Sequence, residues 1–442
     1  MTDISRRHML LGLGATALTA GVGLGLAGCA TGPATPIKRG TVDLRFWTHD
    51  PSYTATFQAS VKDRSIQRGN RWKYDLSVTA AAAADLVSRS ITEAVAHGAG
   101  PDLLGIVVDQ FPRVMKSRIA ENMFVSLNDL TDPLGADLLK TSSYTVDGDV
   151  YAIESDNSIS GLFYRQDVFQ KNGIPEDLTT WEELADAGTK LAKKTGQAIG
   201  MVSTGDAGSI FNTFLQLLLQ RGGNVFHKDG SVALDSDESR DVLALMRRGV
   251  QDGFFTPLTD PYGGAVAAAL KSSKLVGTVM PNWYNLYGLQ SNVPEQKGKW
   301  RVRTIPRFAN GGHIASSLGG TGFAVTKDTE RTDAAVELLR RTYLTPEGQL
   351  LRYQKGGYMP TLTSLYDKPE FRSVTDAYLG GQPIFDEYAK AAKDMPVFNQ
   401  AAGIQVMTVA MSGPILQVLK GQTTPDRAIA SGIATYRDQV NQ

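Results

Sequence analysis

One cysteine, Cys29, stands in a chain of 442 residues. This excludes an intrachain disulfide, a paired redox site and any cysteine-rich metal site. Histidine is also scarce. His8, His49, His97, His227 and His313 are scattered and form no H-E-x-x-H pair. There is no G-x-S-x-G nucleophile elbow and no G-x-x-x-x-G-K-[ST] phosphate loop. Neither sign of charge is in excess, with 45 basic against 45 acidic residues, and no long like-charge block occurs. A basic footprint for nucleic acid is therefore missing, so no nucleic-acid partner is expected. Nothing calls for a cofactor or a metal. Carboxylates are plentiful, so counting alone leaves a glycosidase pair open.

What is present begins at the N-terminus. Arg6-Arg7 precede a Gly/Ala/Leu-rich apolar run from Met9 to Ala27, and Leu26-Ala27-Gly28-Cys29 closes it. This is the layout of a secretory signal. The run is about 18 residues, short of the roughly 20 that span a bilayer, and it carries five glycines. An uncleaved anchor is the competing reading. Leu26–Cys29 resembles a bacterial lipobox, and Ser5-Arg6-Arg7-His8-Met9-Leu10 resembles a twin-arginine export signal. The resemblance implies that residues 1–28 are a signal peptide and that Cys29 is lipidated. Residues 29–40, rich in Pro, Gly and Thr, then form a flexible tether. Anchoring by several acyl chains on Cys29 would be stable. The remaining roughly 400 residues are long for a single core, so two domains are expected. Without cross-links, their stability must come from burial.

Val42–Trp47 alternates and reads as a strand. A helix follows over Tyr53–Arg68, then a strand over Tyr74–Val78. Asp85–His97 has helical spacing, and Leu103–Val108 is a buried parallel strand. This β-α-β-α-β order predicts an α/β domain with a mainly parallel sheet, with ligands beyond the carboxyl ends of its strands. Further on, Thr180-Trp181-Glu182-Glu183 forms a capping box. Helices are expected over Phe211–Arg221, Ser236–Gln251, Asp333–Leu344 and Pro346–Gln354, the last capped by Thr345. Strands are expected over Lys274–Met280 and after Gly319-Gly320.

Several segments, taken in order, resemble the extracellular solute-binding proteins of ABC importers, specifically the carbohydrate-binding family that includes maltose-binding protein. Tyr151-Ala152-Ile153-Glu154 through Leu162-Phe163-Tyr164-Arg165-Gln166-Asp167-Val168-Phe169 resembles its Y-x-I-P … L-x-Y-N-K-D-L-F segment. Gly173-Ile174-Pro175 and Thr180–Leu184 resemble the G-x-x-P … T-W-D-E-L continuation. Gly319-Gly320, Thr345–Gln349 and Gly356–Thr361 resemble later motifs. Glu154 in place of Pro, and Arg165-Gln166 in place of Asn-Lys, are departures. The resemblance implies an α/β, two-lobed periplasmic-binding-protein-like fold with discontinuous lobes and a hinge. Lobe 1 would hold residues 41–155 and 315–356, and lobe 2 residues 157–314 and 357–442. Crossovers are expected near Ser155–Ser160, Gly312–Ser317 and Gly356–Pro360. It further implies a monomer that captures a sugar or oligosaccharide, closes about it, and delivers it to membrane permease subunits served by an ATPase inside the cell. The chain would not be an enzyme, and would sit lipid-anchored on the outer face of a bacterial cell membrane. A secreted glycosidase or other cell-surface carbohydrate-active protein is the enzyme alternative. An adhesion scaffold would instead show a flat apolar patch.

A sugar offers hydroxyls at its rim and C–H faces above and below, so its site needs aromatic plates and short polar groups. A carboxylate accepts two hydroxyls at once. The aromatic candidates are Trp47, Trp283, Tyr284 and Tyr358. The polar candidates are His49, Asp50, Asp109, Gln110, Asp156, Asn157 and Thr321, with Gly320 beside the last. Each has a plainer reading: Trp47 as core, Asp50 and Asp109 as helix caps, Asp156-Asn157 as a fastener of the hinge backbone. Trp72, Trp181 and Trp300 read as structural. Phe398-Asn399-Gln400 could reach the cleft but is not assigned to it. The strand ends lack an Arg/Lys cluster, which favours neutral sugars over phosphorylated ones.

Overall fold

The computed structural model describes residues 35–440 except positions 97, 140, 141 and 328. The leader and Cys29 lie outside the described residues. The chain opens with strand β1 (Gly40–Thr48), helix α1 (Pro51–Ser60), strand β2 (Trp72–Ala80), helix α2 (Ala83–Val95) and strand β3 (Leu103–Val107). β1 pairs in parallel with β2 from Gly40↔Trp72 to Thr48↔Ala80, and with β3 through Phe46↔Leu103. α1 is shorter than the expected Tyr53–Arg68 helix. The Asp63 carboxylate accepts from the amides of Ser65 and Ile66 and from the Ser65 hydroxyl. Such a local turn competes with helix continuation.

The chain continues through β4 (Ile153–Glu154) and β5 (Ile159–Arg165). Next come α3 (Trp181–Thr195), β6 (Gly200–Ser203), α4 (Ala207–Arg221), α5 (Asp237–Asp252) and β7 (Phe255–Leu258). Then follow β8 (Gly277–Pro281), β9 (Trp300–Arg303), β10 (Ser316–Ser317), β11 (Thr321–Val325), α6 (Thr332–Tyr343) and α7 (Pro346–Gly356). The long C-terminal helices are α8 (Ile404–Leu419) and α9 (Pro425–Val440).

Two main sheets result. The first runs β2-β1-β3-β11-β4, with β11 antiparallel to both neighbours. The second runs β8-β5-β9, with β10 also paired to β5, all antiparallel. A parallel pair, β6–β7, lies beside it. Period-2 alternation decides the layering of the first sheet. Val42, Leu44 and Phe46 of β1 pack with Leu338 and Leu339 of α6 on one face. Trp47 packs with Leu86 and Val87 of α2 on the other. In the second body, Phe211, Phe214 and Leu218 of α4 pack against Met407, Met411 and Ile415 of α8. Trp181 and Trp300 are fully buried and Trp72 nearly so. The capping box forms: the Thr180 hydroxyl accepts from the Glu183 amide while Glu183 accepts from the Thr180 amide.

The chain passes between the sheets three times. It leaves the first sheet after Glu154 and enters the second at Ile159. β10 pairs with the second sheet and β11 with the first, so the return runs through Leu318–Gly320. That is later than the expected Gly312–Ser317. The reason is that Ser316↔Ser160 and Ser317↔Ile159 extend the ladder of β5. A third pass falls where Tyr358 packs in the core of the first sheet and Met359 in that of the second.

Candidate functional site

The carboxyl ends of the first sheet point at the junction of the two bodies. β1 ends in His49-Asp50, and β3 in Val108-Asp109-Gln110. Asp50 caps α1, where its Oδ1 accepts from the Ser52 amide and hydroxyl, each at 2.8 Å. Its Oδ2 accepts from the Tyr358 hydroxyl at 3.2 Å. His49 lies edge-on to Tyr53, 5.8 Å between ring centres, and its Nδ1 is buried without a partner. Burial lowers its pKa, against the opposing pull of Asp50 and Asp109. The Asp109 side chain is exposed. Gln110 is half-buried, and its Oε1 accepts from Arg113 at 3.4 Å.

Several candidates turn out to be packed away from any opening. Trp47 is 3 % exposed, inside the core, with the Arg89 guanidinium 4.6 Å from its ring centre. Tyr284 is fully buried and donates to the Pro261 carbonyl at 3.0 Å. Tyr358 is 3 % exposed and stacks on Tyr53 at 5.2 Å, so its faces are covered. Thr321 is buried, and its carbonyl accepts from the Ser155 amide at 2.7 Å. Gly320 sits at φ +124°, and its carbonyl accepts from the Val108 amide at 3.0 Å.

Asp156 and Asn157 hold the first pass of chain. Asp156 Oδ1 accepts from the Ser155 and Ser158 hydroxyls, and Oδ2 accepts from the Ser158 amide at 3.1 Å. Those bonds steady Ser158 at φ +41°, a left-handed conformation that costs a non-glycine residue about 1–2 kcal/mol. Asn157 Nδ2 donates to the Pro360 carbonyl and to the Tyr366 hydroxyl. In the structure these two residues fasten backbone.

Trp283 is half-buried and touches the cores of both sheets. Its indole lies 3.8 Å from where a Cβ on Gly319 would stand. Tyr262, 48 % exposed, is its aromatic neighbour at 6.1 Å. A cavity of about 290 Å³ opens beside Gly319. Val108 and Asp109 line it from the first body, Phe211 and Asn212 from α4, and Phe398, Gln400 and Gln405 from the approach to α8 and its first turn. Asp109 is its one charged lining residue among the described residues. Gln400 donates to the Val108 carbonyl and Gln405 to the Asp109 carbonyl, so the C-terminal segment is tied to the end of β3. Phe211 and Asn212 are absent from the sequence-based site. The one signal for them was an amide set directly beside Ile210 and Phe211 in the first half of α4. Of the candidates, the structure brings Asp109 to this cavity, with Trp283 just behind Gly319. Among the described residues no group of three or more His, Cys, Asp or Glu is placed to hold a metal ion.

Two α/β bodies, joined by three passes of chain and closing on an aromatic and amide-lined cavity, define a two-lobed binding protein. The family described as bacterial extracellular solute-binding protein matches residues 64–377, and the chain belongs to it. Among curated relatives, the arabinooligosaccharide-binding protein of Halalkalibacterium halodurans is 24% identical over 413 residues, covering 91% of each chain. The lactose-binding protein of Rhizobium radiobacter is 24% identical, covering 86% of this chain and 89% of its own. Among solved structures, the cyclic alpha-maltosyl-1,6-maltose binding protein of Arthrobacter globiformis superposes with a TM-score of 0.72 at 20% identity, covering 90% of this chain and 99% of its own. The galacto-N-biose-/lacto-N-biose I-binding protein of Bifidobacterium longum gives 0.70 at 19%, covering 91% and 97%. These two likenesses establish the shared fold.

Proposed function

We propose that this chain is the substrate-binding component of an ABC importer, taking up a sugar or oligosaccharide between its lobes and handing it to a membrane permease. The observation that carries the reading is the cavity between the bodies. Phe398 offers an apolar face, while Asn212, Gln400, Gln405 and Asp109 offer short polar groups. That pairing suits a ring with C–H faces and a hydroxyl rim. With no Lys or Arg in the lining among the described residues, it suits a neutral sugar better than an acidic one. The curated relatives named for arabinooligosaccharide and lactose point the same way. On this reading Asp109 and Trp283 contact the ligand, and closure needs no chemical step, so the chain is not an enzyme. Export through the twin-arginine-like signal and lipidation of Cys29 would hold a monomer on the outer face of the membrane. Lobe 1 would be residues 41–155 with the return segment and α6–α7, and lobe 2 the rest.

Thermal unfolding against arabino-oligosaccharides, lactose, maltose and their monosaccharides tests this. Ligand at about 100 times its dissociation constant adds about 2.7 kcal/mol. A raised midpoint with one sugar class, with the sugar recovered unchanged, supports the reading. Hydrolysed sugar would favour the glycosidase alternative, and no shift across the panel would overturn the sugar assignment.

A further inference from the structure

The end of the first body where the chain enters carries a collar of unpaired positive charge. Lys38 and Arg39 lead into β1; Lys62, Arg64, Arg68 and Arg71 lie between α1 and β2. All six side chains are exposed. The parallel β1-α1-β2 topology brings both segments to the same end, opposite the cavity. The Gly40 amide donates to the Arg71 carbonyl at 3.0 Å, and the Trp72 indole to the Ile37 carbonyl at 2.9 Å. None of the six makes an ion pair among the described residues.

Of the neighbouring carboxylates, Asp63 accepts from Ser65 and Ile66, bonds that leave it charged. Glu330 pairs with Arg331, and Glu337 with Arg340 and Arg341. Asp129 and Asp333 remain exposed in the groove that Arg71 also lines. The six basic side chains outnumber the charged Asp63, Asp129 and Asp333 beside them, so this end keeps a positive excess. The cleft end shows Asp50 and Asp109, with no Lys or Arg in the cavity among the described residues.

We propose that this collar rests on anionic lipid headgroups between deliveries to the permease, with the cleft then facing away from the membrane. The proposal rests on the lipidated Cys29 of the function proposed above. Cys29 precedes Ile37 by eight residues, a reach of at most about 29 Å. The tether therefore keeps this end near the bilayer. Each basic side chain at an anionic surface strengthens association about fivefold. The attraction fades within about 8 Å at physiological salt, so only the collar feels it.

The test uses the full chain, processed and lipidated in a bacterial host, reconstituted into phosphatidylcholine vesicles with or without phosphatidylglycerol. Amide exchange is followed at 61–73 and, as a control, at 107–111. With phosphatidylglycerol, exchange at 61–73 slows at least about tenfold and that at 107–111 is unchanged. High salt, or the triple variant Arg64→Glu, Arg68→Glu, Arg71→Glu, restores the fast rate. Equal rates in both vesicles, with the chain retained, overturn the collar and leave the anchor standing. A chain that salt washes off phosphatidylglycerol vesicles supports the collar and refutes the anchor. One that never associates overturns both.

Discussion

Removing the two glutamines that tie the C-terminal segment to β3 should weaken ligand binding without loosening either body. Gln400 and Gln405 each donate one amide hydrogen to a backbone carbonyl, of Val108 and Asp109. The donors belong to the segment packed with α4 and α8, and the acceptors to the first sheet. Both bonds therefore cross the cleft and break when it opens. A neutral hydrogen bond contributes about 0.5–1.5 kcal/mol net, because water replaces the lost partner. The double variant Gln400→Ala, Gln405→Ala then moves the opening equilibrium by about 2 kcal/mol. That is a factor of about 30 in the ratio of open to closed forms. If closed protein is the binding-competent form, the dissociation constant rises by up to this factor. Titration calorimetry with the sugar found in the unfolding screen measures it, and stopped-flow release should show the change mainly in the off-rate. An unchanged dissociation constant would refute the latch. So would a large loss of stability in the ligand-free double variant, since that would make the bonds part of the resting fold.

Trp283→Ala should weaken sugar binding by about 1–3 kcal/mol, the scale of one aromatic contact, and an unchanged affinity in the same titration removes it from the site. Thr180→Ala removes the hydroxyl that caps α3. It should cost about 1 kcal/mol, read as a midpoint lowered by roughly 1–3 °C with sugar affinity intact. His49 has its pKa lowered by burial, so the unfolded chain takes up this proton first, from about pH 6.5 downward. Stability is full above that pH and falls until the lowered folded pKa is reached. His49→Gln should flatten this part of the profile in urea unfolding at pH 5 and 7.5, and identical slopes would refute it.

The elements that local chemistry specifies were readable from the residues. The Thr180–Glu183 box, the Asp50-Pro51 entry to α1 and the alternation of β1 each follow from contacts within a few positions. The end of α1 was not, because Asp63 closes a turn inside a pattern that still looks helical. The return between sheets runs through Leu318–Gly320 because β10, two residues long, takes its place from β5, more than 150 positions away, and no local pattern announces that pairing.

The site was the least legible part, and the aromatics show why. Tyr284 follows Trp283 directly, yet one is fully buried and the other half-exposed against both cores. The pair lies in the short link between β8 and the π-helical turn that begins at Asn285, where no spacing rule separates the two side chains beforehand. Tyr358 sits in a motif at a chain crossing, but Tyr53 claims its face and Asp50 and Ser52 its hydroxyl. Asp156 likewise spends both oxygens on the Ser158 turn. At a hinge, polar side chains are first claimed by backbone that no regular element satisfies. What remains for a ligand is the groups that folding leaves unclaimed, Asp109 among them, together with residues such as Asn212 that look like ordinary helix until the first body closes over them.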